Sequence, residues 1–286
     1  MSLKPYLRLV AFEHSIFALP FALQGAWLAA RGVPPVTTLL LIVLCAVSAR
    51  TAAMAFNRLV DARIDAANPR TSGREIPAGV VSIQRAGALV AAASAAFVAG
   101  AWALNPLCGQ LSFAVLAVLL SYSLTKRFTF FAHAVLGASL GLAPLGAWLA
   151  VRGDLEGDLV VPLLLAGAVL TWVAGFDLIY SCQDSEFDAR AGLHSVPARF
   201  GPAVALGTSR VLHTLTVLLL LLLWSRADLS WLYLAAVVLA AALLVWEHRL
   251  VAPDDLSRVD LAFFTLNGWV GVGLFLGLAL DLALLP

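Results

Sequence analysis

Charged residues are scarce in this sequence. Asp, Glu, Lys and Arg make up 12% of its 286 residues, whereas hydrophobic residues make up 62%. Soluble domains carry about a quarter charged residues. The longest polar stretch, 57–85, is also too short to form a soluble domain of ordinary size. These absences exclude a soluble protein, and we predict a single integral membrane domain over residues 1–286.

Paired cysteines and targeting signals are also absent. The three cysteines, Cys45, Cys108 and Cys182, have no disulfide-like or metal-binding spacing, so we expect neither a disulfide nor a zinc site. The N-terminal residues contain Glu13 and His14 and no apolar core followed by a cleavage site, so we expect no signal peptide. We expect a lipid bilayer and no nucleic acid as a partner. The oligomeric state stays open.

The apolar segments show no alternation of polar and apolar residues, which favours helices over a membrane β-barrel. A helix of roughly twenty apolar residues crosses the hydrocarbon core of a bilayer. We therefore predict an all-α integral membrane protein with transmembrane helices around a central cavity. The nine predicted helices are 15–31, 36–56, 86–104, 109–125, 131–151, 159–180, 203–224, 230–248 and 261–284.

The basic residues indicate an orientation. Four connections are polar: 57–85, 126–130, 181–202 and 249–260. All Lys and Arg lie in these connections, in the N-terminal segment or at adjoining helix ends, with three exceptions: Arg31, Arg152 and Arg226. The positive-inside rule then places the N-terminus and the polar connections in the cytoplasm and the C-terminus outside. We predict a multi-pass protein of the cell (inner) membrane whose cavity opens to the cytoplasmic side.

Two acidic clusters occur in these polar connections. Asn57, Asp61 and Asp65 are spaced i, i+4, i+8, so a helix places them on one face, and Asp184 and Asp188 repeat this spacing. Carboxylates near hydrocarbon are costly, so we expect cations to bind them. Mg²⁺ takes one or two carboxylates and completes its shell with water and phosphate oxygens, and Asn57 could add a neutral oxygen. We predict that these five residues are metal ligands.

A simpler interpretation pairs one such cluster with neighbouring arginines in a solvated loop. Two clusters of matched spacing on one side of the membrane favour the metal. Arg70, Arg74, Lys126 and Arg127 lie in the same connections and are suited to bind a diphosphate, although such residues also anchor proteins to anionic lipid.

Three motifs occur in order along the chain: Asn57-x-x-x-Asp61-x-x-x-Asp65, Tyr122-x-x-x-Lys126 and Asp184-x-x-x-Asp188. Together they resemble the signature of the UbiA superfamily of intramembrane prenyltransferases, and the resemblance covers essentially the whole chain. Arg58 stands where that family more often has Asp. The segments 12–22, 126–129, 143–148 and 192–201 resemble the 4-hydroxybenzoate polyprenyltransferase branch, particularly its subset in menaquinone synthesis through futalosine.

This resemblance implies Mg²⁺-dependent transfer of a polyprenyl group from polyprenyl diphosphate to a hydroxylated aromatic carboxylate. The acceptor would be 1,4-dihydroxy-6-naphthoate or 4-hydroxybenzoate, in menaquinone or ubiquinone biosynthesis. Mg²⁺ and basic residues would stabilise the departing diphosphate, and the membrane cavity would shield the carbocation from water.

The resemblance also suggests roles for individual residues. Tyr122 and Lys126 would be catalytic, with the Tyr122 ring facing the cation. Asp177, seven residues before Asp184, would take the ring proton or polarise the phenol. The residues expected to bind the acceptor are Glu13, His14 and Arg127.

The competing hypothesis from another class is a multi-pass transporter with an intramembrane acidic ion site. Transporter sites favour the bilayer midplane, whereas these carboxylates are predicted at helix ends. A CDP-alcohol phosphotransferase is disfavoured because that family's single compact aspartate motif is missing. A scaffold protein would leave the paired clusters unexplained.

Overall fold

The computed structural model describes residues 4–10 and 17–284, and these residues are almost entirely helical. A 3₁₀ turn, Cys182–Asp184, follows helix α8, and a π-helical segment, Leu261–Leu266, precedes helix α13. The α-helices are α1 Lys4–Leu9, α2 Leu19–Ala30, α3 Val36–Val60, α4 Ala62–Ala67, α5 Ile83–Leu104, α6 Pro106–Thr125, α7 Ala132–Arg152, α8 Val160–Ser181, α9 Ser185–Arg190, α10 Val196–Phe200, α11 Pro202–Arg226, α12 Trp231–Leu250 and α13 Asn267–Leu284.

Within the described residues, 8 helical stretches are long and apolar enough to cross a membrane, and α2 is a shorter apolar helix. The prediction of an all-α, multi-pass membrane protein is confirmed. The helix predicted at 15–31 corresponds to α2, whose described part begins at Leu19. The prediction for α3 ended at 56, but the helix continues to Val60 and so carries Asn57.

Local chemistry explains where several helices begin. The Ser82 side chain accepts a hydrogen bond from the Arg85 amide at the start of α5, and Asn105 does the same for Cys108 in α6. These side chains satisfy amides that have no partner inside the helix. Pro106 then occupies the first turn of α6, where its missing N–H costs nothing.

Helix α8 lies at the centre of the bundle, and 67% of its most apolar stretch is buried inside the protein. It packs against α7 and α11. Gly137 and Gly141 of α7 allow the close approach, because a Cβ atom there would lie 2.3 Å from the Leu170 carbonyl oxygen and 2.8 Å from that of Ala166. The site-bearing end of α8 is therefore held against α7 by backbone contact.

Aromatic side chains fill the core beside α8. Phe176 is 3% exposed and packs on Phe17, Trp172 and Phe263, so it belongs to this core. The Trp172 indole donates to Asn267 Oδ1 over 2.6 Å. Asn267 thus links helices, as a polar residue inside a membrane bundle commonly does.

A cavity of about 520 Å³ lies between α2, α3, α5, α6, α7 and the start of α8. It extends from Arg50 and Tyr122, towards the bundle end that carries the polar connections, to Leu155 and Leu159 at the opposite end. Most of its other lining residues are apolar, so the cavity is suited to a hydrocarbon chain.

Candidate active site

The first acidic cluster lies where α3 gives way to α4. Asp61 lies between the two helices. Its amide donates to the Asn57 carbonyl over 3.0 Å, and the Asp65 amide donates to the Asp61 carbonyl over 2.8 Å. Helical i+4 to i hydrogen bonds therefore continue from α3 across Asp61 into α4. Asp61 and Asp65 are 1% and 4% exposed, so both carboxylates are withdrawn from water.

Basic side chains neutralise these buried carboxylates, because an unpaired buried charge in a membrane protein is energetically costly. Lys126 Nζ lies 2.5 Å from Asp61 Oδ2, and Arg127 Nη2 lies 3.2 Å from Asp61 Oδ1. Arg74 Nη1 lies 2.7 Å from Asp65 Oδ1. Asp65 Oδ2 is buried and has no hydrogen-bond partner among residues 4–10 and 17–284. The first cluster therefore contacts three of the four basic residues predicted to bind diphosphate.

The fourth basic residue, Arg70, belongs to the second cluster. Its Nε lies 2.9 Å from Asp184 Oδ1 and its Nη2 binds Asp184 Oδ2, which makes a bidentate pair. Arg70 Nη1 donates to the Tyr180 hydroxyl over 3.1 Å, and the guanidinium lies 5.3 Å from the centre of the Tyr180 ring. Burial alone would lower the pKa of Arg70, but the hydrogen bonds and charge of Asp184 raise it above its ordinary value.

Two contacts join the clusters. Asn68, in the connection after α4, donates to Asp184 Oδ1 over 2.9 Å. The His194 amide donates to the Lys126 carbonyl over 2.7 Å, which fastens the connection after α9 to the end of α6. Asp188 accepts a hydrogen bond from Ser195 at 3.1 Å. The surroundings of the two clusters are therefore in contact, and that the carboxylates themselves act together stays a prediction.

This donor set fits Mg²⁺ that is shared with a diphosphate. No group of three or more His, Cys, Asp or Glu side chains among the described residues forms a ready-made metal cage. Mg²⁺ usually binds one or two carboxylates and keeps water or substrate phosphate oxygens as its other ligands. The buried Asp65 Oδ2, which has no partner in the described structure, is an oxygen of the type that Mg²⁺ takes. Which residues bind the metal stays a prediction.

Asp177 has a partner that the sequence did not indicate. His133 Nδ1, in the first turn of α7, lies 2.7 Å from Asp177 Oδ2 on α8. The sequence between His133 and Asp177 gives no signal of this pair.

Arg50 is a second residue that the sequence did not single out. In the sequence it is one of the basic residues at helix ends, and in the structure it lines the cavity together with Tyr122. Lys126 follows Tyr122 by one turn and binds Asp61, so the ion cluster adjoins this end of the cavity. Glu13 and His14, expected to bind the acceptor, lie outside the described residues.

Comparisons with known proteins agree with this arrangement. The model of the UbiA prenyltransferase family matches residues 18–269. A relative named 4-hydroxybenzoate octaprenyltransferase from Pseudomonas aeruginosa is 33% identical over 262 residues, 92% of this chain and 87% of that protein. A protein of the same name from Hydrogenovibrio crunogenus is 30% identical over 285 residues, 98% of this chain and 97% of its own.

Two solved structures share the fold. The apo structure of a UbiA homologue from Aeropyrum pernix K1 has a TM-score of 0.85 and 37% identity, over 94% of this chain and 98% of that one. A UbiA homologue from Archaeoglobus fulgidus, solved with DMAPP and Mg²⁺, has a TM-score of 0.74 and 19% identity, over 98% of this chain and 99% of that one.

Proposed function

Because the chain belongs to the UbiA prenyltransferase family, we propose that it transfers a polyprenyl group from polyprenyl diphosphate to a hydroxylated aromatic carboxylate, with Mg²⁺. One observation carries this proposal. Two joined carboxylate clusters, paired with four basic side chains, adjoin the Tyr122 end of a long apolar cavity.

The polar cluster is suited to the diphosphate. Mg²⁺, when bound by the predicted ligands Asn57, Asp61, Asp65, Asp184 and Asp188, supplies Lewis-acid stabilisation of the leaving diphosphate. Arg70, Arg74, Lys126 and Arg127 each bind a carboxylate in the structure. Their N–H groups can equally bind phosphate oxygens, where they stabilise the negative charge that grows as the carbon–oxygen bond breaks.

The cavity is suited to the polyprenyl chain. Apolar side chains from α3, α5, α6 and α7 line it, so the chain is held in contact with hydrocarbon. The allylic carbon then lies at the end where Tyr122 borders the ion cluster. The ring face of Tyr122 stabilises the allylic cation, and the exclusion of water protects that cation from hydrolysis.

The acceptor site lies at this same end. Arg50 is a cation on an otherwise largely apolar wall, and it is suited to bind the acceptor's carboxylate. The ring carbon attacks the allylic carbon as diphosphate leaves with the bonding electrons. The Asp177 carboxylate then accepts the ring proton, which restores aromaticity. Arg127 binds Asp61 in the structure, and its predicted contact with the acceptor would be a second role.

The observations favour two acceptors. The names of the relatives support 4-hydroxybenzoate. The resemblance of the segments 12–22, 126–129, 143–148 and 192–201 to the menaquinone subset supports 1,4-dihydroxy-6-naphthoate. Either product would be a precursor of ubiquinone or menaquinone. The basic connections support a cytoplasmic location for the site.

The transporter alternative is disfavoured by the place of the carboxylates. Asp61 follows the last residue of α3 and Asp184 follows α8 by one 3₁₀ turn, so both lie at helix ends and away from the midplane.

The test is a prenylation assay. Purified protein in detergent is incubated with radiolabelled polyprenyl diphosphate and Mg²⁺, with 4-hydroxybenzoate and 1,4-dihydroxy-6-naphthoate supplied separately. We expect prenylation of one acceptor and its loss when EDTA is added. Turnover that persists in EDTA would contradict the role of Mg²⁺, and failure with both acceptors would contradict the acceptor class.

A further inference from the structure

We propose that His133 is a positioning residue for the Asp177 carboxylate, which it holds in the orientation that accepts the acceptor's ring proton. This inference rests on the proposed function, because it assigns a partner to the residue proposed as the base. Among the described residues the imidazole makes one hydrogen bond, in which Nδ1 donates to Asp177 Oδ2 over 2.7 Å.

Helix geometry fixes where the two side chains meet. His133, Gly137 and Gly141 are spaced i, i+4, i+8 and so lie on one face of α7. The two glycines contact the α8 backbone at Leu170 and Ala166. The same face therefore directs His133 towards the later part of α8, where Asp177 lies.

The close approach of α7 to α8 fixes the positions from which His133 and Asp177 meet. A Cβ atom on Gly137 would come within 2.3 Å of the Leu170 carbonyl oxygen, so the two backbones are in direct contact one turn from His133. This backbone contact fixes the spacing of α7 and α8 close to the pair formed by His133 and Asp177.

Exposure distinguishes the roles of the two side chains. The Asp177 side chain is 25% exposed, whereas that of His133 is 8% exposed. The Asp177 side chain is therefore the more accessible of the two, as a group that takes a proton from a substrate must be. Within the described part of the chain, His133 Nε2 is buried and has no hydrogen-bond partner, so no second polar contact there competes with Asp177 for the ring.

The direction of this hydrogen bond follows from the proposed role of the carboxylate, which can only accept when it acts as a base. His133 Nδ1–H therefore donates to Asp177 Oδ2. In the reaction, the acceptor's ring proton moves to the Asp177 carboxylate, and the electron pair of the C–H bond returns to the ring. The hydrogen bond from His133 keeps the carboxylate from rotating away.

The test compares two variants of purified full-length protein. His133→Leu removes the donor at similar volume, whereas His133→Asn keeps an N–H close to the position of Nδ1. We expect His133→Leu to lower kcat by about 10- to 100-fold with the KM for polyprenyl diphosphate changed less than about 2-fold. His133→Asn should recover most of that kcat.

Two further measurements keep the proposal open to refutation. His133→Met serves as the donor-free variant if His133→Leu does not yield folded protein. In an Asp177→Asn background, His133→Leu should cause no further loss of kcat, because the two residues act as one unit.

Several outcomes would overturn the inference. Undiminished kcat in both donor-free variants, equal losses in His133→Leu and His133→Asn, or an additive loss in the double variant would each contradict it while wild-type turnover stands. Absence of wild-type turnover with both acceptors would overturn the proposed function, and the role of His133 with it.

Discussion

Arg70 shows how several contacts can fix one side chain at the second cluster. It makes a bidentate pair with Asp184, and its backbone amide donates to Asn68 Oδ1 over 2.9 Å. Tyr180 holds the remaining edge of the guanidinium. The planar fork is therefore fixed in one orientation before substrate arrives, which favours two simultaneous hydrogen bonds to a diphosphate.

Arg70→Lys should raise the KM for polyprenyl diphosphate by about tenfold, because a lysine keeps the charge and loses the bidentate geometry. Arg63→Lys is the matched control, since Arg63 lies exposed on α4 and in the same connection. Steady-state kinetics at saturating acceptor measure both variants. Equal changes in KM for the two substitutions would contradict a specific role for Arg70.

The side chains of the site were only partly predictable from sequence. The spacing of Asp61, Asp65, Asp184 and Asp188 revealed the acidic residues because helical periodicity leaves a trace in the sequence. Asn68 was missed because its partner, Asp184, lies 116 residues away. Local spacing carries no information about contacts of that kind, and the pair of His133 and Asp177 was missed for the same reason.

At the scale of the helices, the contact between α7 and α8 is the most consequential. It depends on the absence of a side chain at Gly137. Gly137→Ala should destabilise the protein by about 1–3 kcal/mol, because the added methyl group must displace the α8 backbone. Thermal unfolding in detergent measures the change.

Gly146→Ala is the control in the same helix. A Cβ atom at Gly146 meets no atom within 4 Å, so this substitution should leave stability unchanged or raise it slightly. A lower melting temperature for Gly146→Ala than for Gly137→Ala would show that the α7–α8 contact does not limit stability.

The helices themselves were largely predictable, because hydrophobic segments of membrane length have few alternative structures. Their ends were less so. Helix α3 continues to Val60 past the point where hydropathy falls, because Asn57 and Arg58 maintain the backbone hydrogen bonds of a helix. Hydropathy gives no sign of the π-helical segment Leu261–Leu266. Asn267, which follows this segment, bonds to Trp172 of α8 and Glu247 of α12, and contacts of this kind are not visible in the local sequence.

At the scale of the whole molecule, the cavity connects the ion cluster to the opposite end of the bundle. Its existence was expected, but its lining could not be read from sequence because five or more helices contribute to it. Two cysteines, Cys45 and Cys108, lie on its wall, whereas Cys182 does not. They provide a natural probe of what enters the cavity.

Cys108 should react with a small maleimide and be protected by polyprenyl diphosphate with Mg²⁺, because the chain would cover its thiol. Cys108→Ser identifies the labelled position, and inorganic diphosphate, which lacks a chain, is the control that should give no protection. Mass spectrometry measures the labelled fraction. Equal protection by inorganic diphosphate would argue against a chain in this cavity.

The central claim is that the two acidic clusters act together to bind the donor through Mg²⁺. Calorimetric titration of the protein with geranyl diphosphate, with Mg²⁺ or with EDTA, tests it most directly. We predict measurable binding only with Mg²⁺, and an affinity loss of about 10-fold or more for both Asp61→Asn and Asp184→Asn. Binding of equal affinity in EDTA, or unchanged binding in both variants, would contradict it.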